Sequence, residues 1–252
     1  MNTLASIPTS PAGFLETLSL GLPPLQASPL ASVNALQAEA VNQLDVLSLP
    51  TRRDEAWRFT DISPLKQLSL APARSVPDLK AVDIAHFYID EATTRLVFVD
   101  GIYVPHLSIV APSDGVVVSN LAAVAATHAA VIDAHLGRHA EFRDSIFVAL
   151  NTAFLDDVAV MVVPRNVVLA APVQLLFIAT QKEIVSTPRC LVVAEAGSEA
   201  TVIEDYVVLN QSGRQEEAYL TNAVTEIVLE DNARLSHIRI QREDKKSFHV
   251  AN

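Results

Sequence analysis

The sequence predicts a mainly β protein with α content, in which a helical N-terminal region over residues 1–90 precedes a β-solenoid core over residues 91–252. Two observations carry that expectation. Between about Asp157 and Arg242, one short apolar strand follows another with almost no helical signal, each rich in β-branched residues and bounded by turn formers. Within this block Val193-Ala-Glu-Ala-Gly-Ser-Glu-Ala-Thr-Val-Ile is echoed by Leu229-Glu-Asp-Asn-Ala-Arg-Leu-Ser-His-Ile, with Ala200 matching Ala233. Similarity at a fixed period is the mark of stacked coils, each covering the open edge of the last. A β-sandwich would give a similar alternation, so it stands as the competing architecture.

The N-terminal elements follow from spacing. Residues 1 to 28 are rich in Pro, Ser and Thr and predict a flexible lead with a marginal helix near Phe14. Ser28-Pro29 reads as an N-cap followed by proline at the first helical position, where its missing N–H costs nothing. Leu30, Val33, Leu36, Ala40, Val41, Leu44 and Leu47 then recur at helical spacing until Pro50 ends the run. Next, Pro50-Thr-Arg-Arg-Asp-Glu-Ala-Trp-Arg-Phe-Thr-Asp-Ile-Ser-Pro-Leu65 carries the single tryptophan. Its residues predict a compact clasp: Thr51 and Asp54 cap a turn, Asp54 and Arg58 pair at i,i+4, and Trp57 and Phe59 anchor the packing. Ser63-Pro64 starts a further helix with Leu65 and Leu68 inward.

Within the core region, Asp100-Gly101 predicts a tight hairpin turn after the strand that starts at Arg95, and Pro112 with Asp114-Gly115 punctuates a second strand at Val116–Val118. Helices are expected over about 121–136, stopped by Gly137, and over about 144–154. Strands are expected at 159–163, 167–169, 173–179, 189–194, 200–209, 223–229 and 234–240.

Composition narrows the function classes. Half of the 252 residues are hydrophobic, enough for a sizeable core, and no uncharged apolar run approaches the roughly 18 to 20 residues that cross a bilayer. A formal charge of −11 without clusters of Lys and Arg argues against a nucleic-acid surface. The single cysteine, Cys190, excludes an internal disulfide and fits a reducing compartment. Glu16, Glu39 and Asp45 precede the first basic residue, Arg52, so neither a secretory nor a transit signal is expected and the cytoplasm is the default location. No lysine stands in a G-x-x-x-x-G-K-[ST] arrangement, which removes the P-loop route to ATP hydrolysis.

Four candidate chemical features read better as structure. His135 and His139 share one helix face, but Leu136 stands where a zinc-peptidase glutamate would be, so solvated histidines at a helix end are expected. Cys190 lies among apolar strand residues and reads as a small buried hydrophobe. His237 reads as a surface histidine. Asp156-Asp157 resembles the paired acids of glycoside hydrolases, yet neighbours on a strand face opposite ways, so a solvated turn is the better reading. No catalytic or metal residue is assigned.

The Pro50–Leu65 segment resembles the signature near the N-terminus of the SufB/SufD family of iron–sulfur cluster assembly scaffolds, on the SufD side of it. Leu96-Val-Phe-Val-Asp-Gly-Ile-Tyr, Phe147-Val-Ala-Leu-Asn-Thr-Ala-Phe, Val162-Val-Pro-Arg-Asn-Val-Val-Leu-Ala-Ala-Pro-Val and Leu220-Thr-Asn-Ala-Val-Thr-Glu-Ile agree with it in order. The resemblance implies a right-handed parallel β-helix, apparently truncated at its C-terminal end, and a non-catalytic scaffold in a hetero-oligomer with a SufB-like subunit and a SufC-like ATPase, or a homodimer when alone. No cofactor is assigned; the resemblance implies that iron or an iron–sulfur cluster touches the chain only transiently, in the full complex. It carries no ligand residue onto this chain, and cofactor-binding residues stay unknown. A β-helix carbohydrate-active enzyme and a β-sandwich binding module are the alternatives.

Overall fold

The computed structural model describes residues 28–73, 75–113, 115–209 and 218–252. The expected lead with its helix near Phe14 lies outside them. The described residues form a mixed α/β architecture in which parallel sheets dominate and helices are few.

Helix α1 (Ala31–Leu44) turns Val33, Ala40 and Leu44 to the core. It starts later than the Ser28-Pro29 signal suggests, because Ser28 Oγ accepts from Leu30 N at 3.2 Å while the Asn34 side chain returns to the Ser28 backbone. The clasp is two short 3-10 turns, Glu55–Trp57 and Ser63–Gln67. Asp54 Oδ2 accepts from Thr51 N at 2.7 Å, as the capping pattern predicts. The expected Asp54–Arg58 pair is absent among the described residues; Arg58 lies instead over the Phe59 ring, 5.3 Å from its centre. Trp57 is an anchor, 5.3 Å from the Phe147 ring, but Phe59 is 90% exposed and anchors nothing.

Strand β1 (Ala71–Pro72), helix α2 (Ala81–Ile84) and strands β2 (Thr94–Val99) and β3 (Ile102–Tyr103) come next along the chain. β2 and β3 are antiparallel, with Phe98 opposite Tyr103, and the two residues between them, Asp100 and Gly101, take φ of 51° and 89°. Two successive positive φ values define the hairpin turn whose twist matches its strands, and the Asp-Gly pair accepts them at least cost. β4 (Val117–Asn120) runs antiparallel to β5 (Ala159–Val163). Between them the expected single helix is two, α3 (Leu121–Thr127) and α4 (Ala129–His135), broken at His128, where ψ is 39°. Helix α5 (Ile146–Ala153) is buried along its whole length, and Ser145 Oγ caps it by accepting from Val148 N.

From β5 onward the chain passes back and forth between two sheets, with β7 and β8 consecutive in one of them: β6 (Val173–Ala179), β7 (Ile184–Ser186), β8 (Arg189–Ala194), β9 (Glu199–Val208), β10 (Leu220–Leu229), β11 (Arg234–Arg242) and β12 (Phe248–Ala251). One sheet has the order β1-β7-β10-β8-β5-β4 with β12 also on β10, and the other β11-β9-β6-β2-β3. The pairings β5–β8, β8–β10, β6–β9 and β9–β11 are all parallel, which removes the antiparallel sandwich. β10 pairs through its first residues with β7 and β12 and through its last with β8, so it bends where Thr187-Pro188 separates β7 from β8.

Two expectations need correction here. The residue opposite Ala200 is Leu235, not Ala233, so the offset between β9 and β11 is two residues longer than the sequence echo implied. Val167–Leu169 is not a strand: Val168 makes only an isolated bridge to Glu199 and is 65% exposed, because the chain is turning a corner there.

The interior is apolar in alternate positions of each strand. Leu96, Phe98, Leu175, Phe177, Val202 and Tyr206 from one sheet meet Ala159, Met161, Cys190 and Val192 from the other. Phe98, Phe177 and Tyr206 stack across the neighbouring strands β2, β6 and β9 with ring centres 5.2 and 4.9 Å apart. In-register stacking of this kind is what parallel strands at a constant offset produce.

Candidate functional site

Polar groups inside this apolar interior concentrate among β9, β10 and β11. Positions i and i+2 of a strand share a face, so β9 turns Glu204 and Tyr206 inward together. The register puts Thr225 of β10 beside Cys190 of β8, and Arg239 of β11 beside Glu204. The Glu204 carboxylate is 1% exposed. It accepts from Thr225 Oγ1 at 2.6 Å and from Tyr206 Oη at 2.8 Å, lies 2.8 Å from His237 Nε2, and accepts from Arg239 Nε at 3.4 Å. Desolvation alone would push Glu204 up; the hydrogen bonds from His237, Thr225 and Tyr206 outweigh it and hold the carboxyl below its ordinary value. Burial, then the Glu204 charge, push the Cys190 thiol and the Tyr206 hydroxyl well up. Cys190 is therefore a closed, protonated thiol and no nucleophile.

His249 of β12 meets the Tyr206 ring edge-on, 4.7 Å between centres, with Nδ1 2.6 Å from Glu243 Oε2, which shares its carboxylate with Thr221 Oγ1. On the opposite face of β9, Asp205 accepts from Gln174 Nε2 at 2.9 Å and from Arg242 Nη2 at 2.5 Å. Gln174 in turn accepts from Arg95 Nε at 2.8 Å. These ties fasten β11, the outermost strand of its sheet, to β9, β6 and β2 beside it. A third network joins β8, β10 and α5: Arg189 donates to Glu226 Oε2 through Nη2 at 2.6 Å and Nε at 3.1 Å, and through Nη1 to Asn151 Oδ1 and Thr152 Oγ1. Desolvation pushes Glu226 up, but the Arg189 charge and the backbone N–H groups of Gly137 and His139 outweigh it, so its carboxyl also sits below the ordinary range.

These shifts predict a pH dependence. A carboxyl depressed in the folded state stabilises it above the unfolded value, here near 4.5, and that stability is lost as pH falls through the folded value. The urea midpoint should therefore drop between pH 7 and about pH 3. An unchanged midpoint would mean that Glu204 and Glu226 titrate alike in the folded and unfolded chain.

The sequence-derived candidates come out unevenly. Cys190 is fully buried, as expected. His237 is exposed, as expected, but its ring is held on the buried Glu204, Nε2 lying 2.8 Å from Oε1. Asp156 is exposed, but Asp157 is no solvated turn residue; its carboxylate accepts from Leu121 N, Asn120 Nδ2 and Val158 N, fixing the start of α3. His135 and His139 lie together at the exposed end of α4. Among the described residues no group of three or more His, Cys, Asp or Glu side chains is placed to hold a metal ion. Glu204, Asp205, Arg189 and Glu226 escaped the sequence reading, although a charge inside an otherwise apolar strand is a visible signal. No helix among the described residues is long and apolar enough to cross a membrane.

Residues 24–175 match the family model described as the SufBD protein N-terminal region, and residues 177–252 match the SUF system FeS cluster assembly, SufBD core domain. The chain is 37% identical over 220 residues to the iron-sulfur cluster assembly SufBD family protein slr0076 of Synechocystis sp., covering 84% of this chain and 48% of that protein. It is 31% identical over 216 residues to the iron-sulfur cluster assembly protein SufD of Escherichia coli, covering 84% and 47%, and 28% identical over 244 residues to the chloroplastic protein ABCI7 of Arabidopsis thaliana, covering 90% and 48%. The chain thus spans about half the length of the curated relatives it matches. With both family models matched in order along one polypeptide, the chain belongs to the SufBD family of iron–sulfur cluster assembly proteins.

Proposed function

We propose that this chain serves as a SufD-type scaffold: a helical region to about residue 90 followed by a right-handed parallel β-helix that pairs with a SufB-like subunit and works in the cytoplasm with a SufC-like ATPase. The cluster is cargo of the complex, and the reading assigns no turnover to this chain. The observation that carries it is the family match from residue 24 to residue 252. The architecture supports the β-helix. The long strands from β5 to β11 are shared between two mainly parallel sheets, and a crossover between parallel strands is right-handed in about 98% of cases. The interior supports the scaffold role, since its thiol is closed and its carboxylates are committed to holding strands together.

The test is co-expression with SufB-like and SufC-like subunits followed by affinity capture of one of them. Co-elution in fixed proportion is expected, with ATPase activity residing in the SufC-like subunit. If the chain stays behind while the other two associate, the scaffold assignment fails.

A further inference from the structure

We propose that His135 and His139 form a two-histidine clamp for a borderline first-row divalent cation, with Cu2+ held more tightly than Zn2+. His135 is the last residue of α4, and its Nδ1 faces His139 Nε2 at 3.4 Å, the rings inclined by 26° with centres 5.6 Å apart. As a hydrogen bond between two ring nitrogens that separation is long, and two protonated rings so close would repel. As a ligand spacing it fits a tetrahedral ion such as Zn2+, whose ligands, with metal–nitrogen bonds of about 2.0–2.1 Å, stand about 3.3 Å apart, and the tetragonal geometry of Cu2+ asks these exposed rings to close to about 2.9 Å. Imidazole nitrogen suits copper, zinc and nickel, and the general affinity order places copper above zinc.

The separation is held by structure that the histidines themselves do not supply. Gly137 takes φ of +74°, reversing the chain so that His139 returns over His135. The reversal is nailed down by one buried carboxylate: Glu226 accepts from Gly137 N at 2.9 Å, from His139 N at 2.9 Å and from Ala140 N at 3.3 Å, while Arg189 holds it from the other side. Leu36 of α1 closes against Gly137 so tightly that a Cβ there would stand 2.5 Å from its Cδ2. The backbone therefore enters binding already ordered, and a chelate with little left to immobilise gains affinity from that alone. Two protein ligands leave the remaining coordination positions to water or to a group brought by another molecule. The clamp is independent of the scaffold reading, because it needs neither a partner subunit nor a cluster.

The experiment is isothermal titration of the purified, untagged protein with CuCl2 and with ZnCl2 in a non-chelating buffer, alongside His135→Asn, His139→Asn and, as control, His128→Asn. One equivalent should bind, copper more tightly than zinc. Each of the first two variants should lose about tenfold or more in affinity as the chelate is broken, while His128→Asn is unchanged. All three side chains lie at the surface, so circular dichroism should show the fold intact. Absence of saturable binding in the wild-type protein, or equal affinity in the His135 and His139 variants, would overturn the clamp.

Discussion

Replacing Arg189 with methionine is expected to remove about 3–5 kcal/mol of folding stability, a large share of the roughly 5–15 kcal/mol typical of a domain. Arg189 and Glu226 both have side chains with no solvent exposure, and the guanidinium Nη1 donates to Asn151 and Thr152. Removing it strands a carboxylate in a dry interior. Glu226 would keep its three backbone N–H donors, so the loss should fall short of that for a naked charge. Glu226→Leu should cost a similar amount, because it frees both the guanidinium and the loop at Gly137. The double variant Arg189→Met/Glu226→Leu should cost clearly less than the two singles together, since well-packed apolar groups need no partner. Urea unfolding of the three variants measures this directly. A single variant within about 1 kcal/mol of wild type would show that water reaches the pair.

Phe147→Ala should cost about 3–5 kcal/mol, and Phe147→Leu under about 1.5 kcal/mol. Phe147 sits on the wholly buried helix α5 among Ile146, Leu150, Leu65 and Val224, where neighbours from α1, the clasp and β10 converge. Its ring is also what Trp57 rests on. The alanine variant therefore opens a cavity and unseats the only tryptophan in the chain, so its emission should shift to the red in the native state as well as lowering the urea midpoint. Unchanged emission would mean that the clasp holds without Phe147.

What the sequence revealed, and what it hid, divides along a physical line. Ala159–Val163, Val173–Ala179 and Arg189–Ala194 are strands with the predicted bounds, because two-sided burial leaves a continuous apolar run that turn residues delimit. Asp100-Gly101 announces its turn through backbone sterics alone. By contrast, β7 and β12 are short and their pairing is contributed by β10, so no local pattern betrays them. Phe59 fails because hydrophobicity does not say which of two neighbouring aromatics turns inward. The charged networks were hidden for another reason: Glu204 and His237 sit in separate strands, and only the register between β9 and β11 makes them partners. The helix break at His128 has no proline or glycine to mark it.

The two reversed strands carry a consequence for how such a molecule can grow. β3 lies at one margin of its sheet and β4 at one margin of the other, each running against its neighbour, so a newcomer continuing the parallel winding finds no template there. Among the described residues the opposite margins, at β11 and β1, run parallel to their neighbours β9 and β7. Each sheet is thus directional across its width, since a strand laid in the common orientation meets a reversed neighbour at one edge and a like-running one at the other.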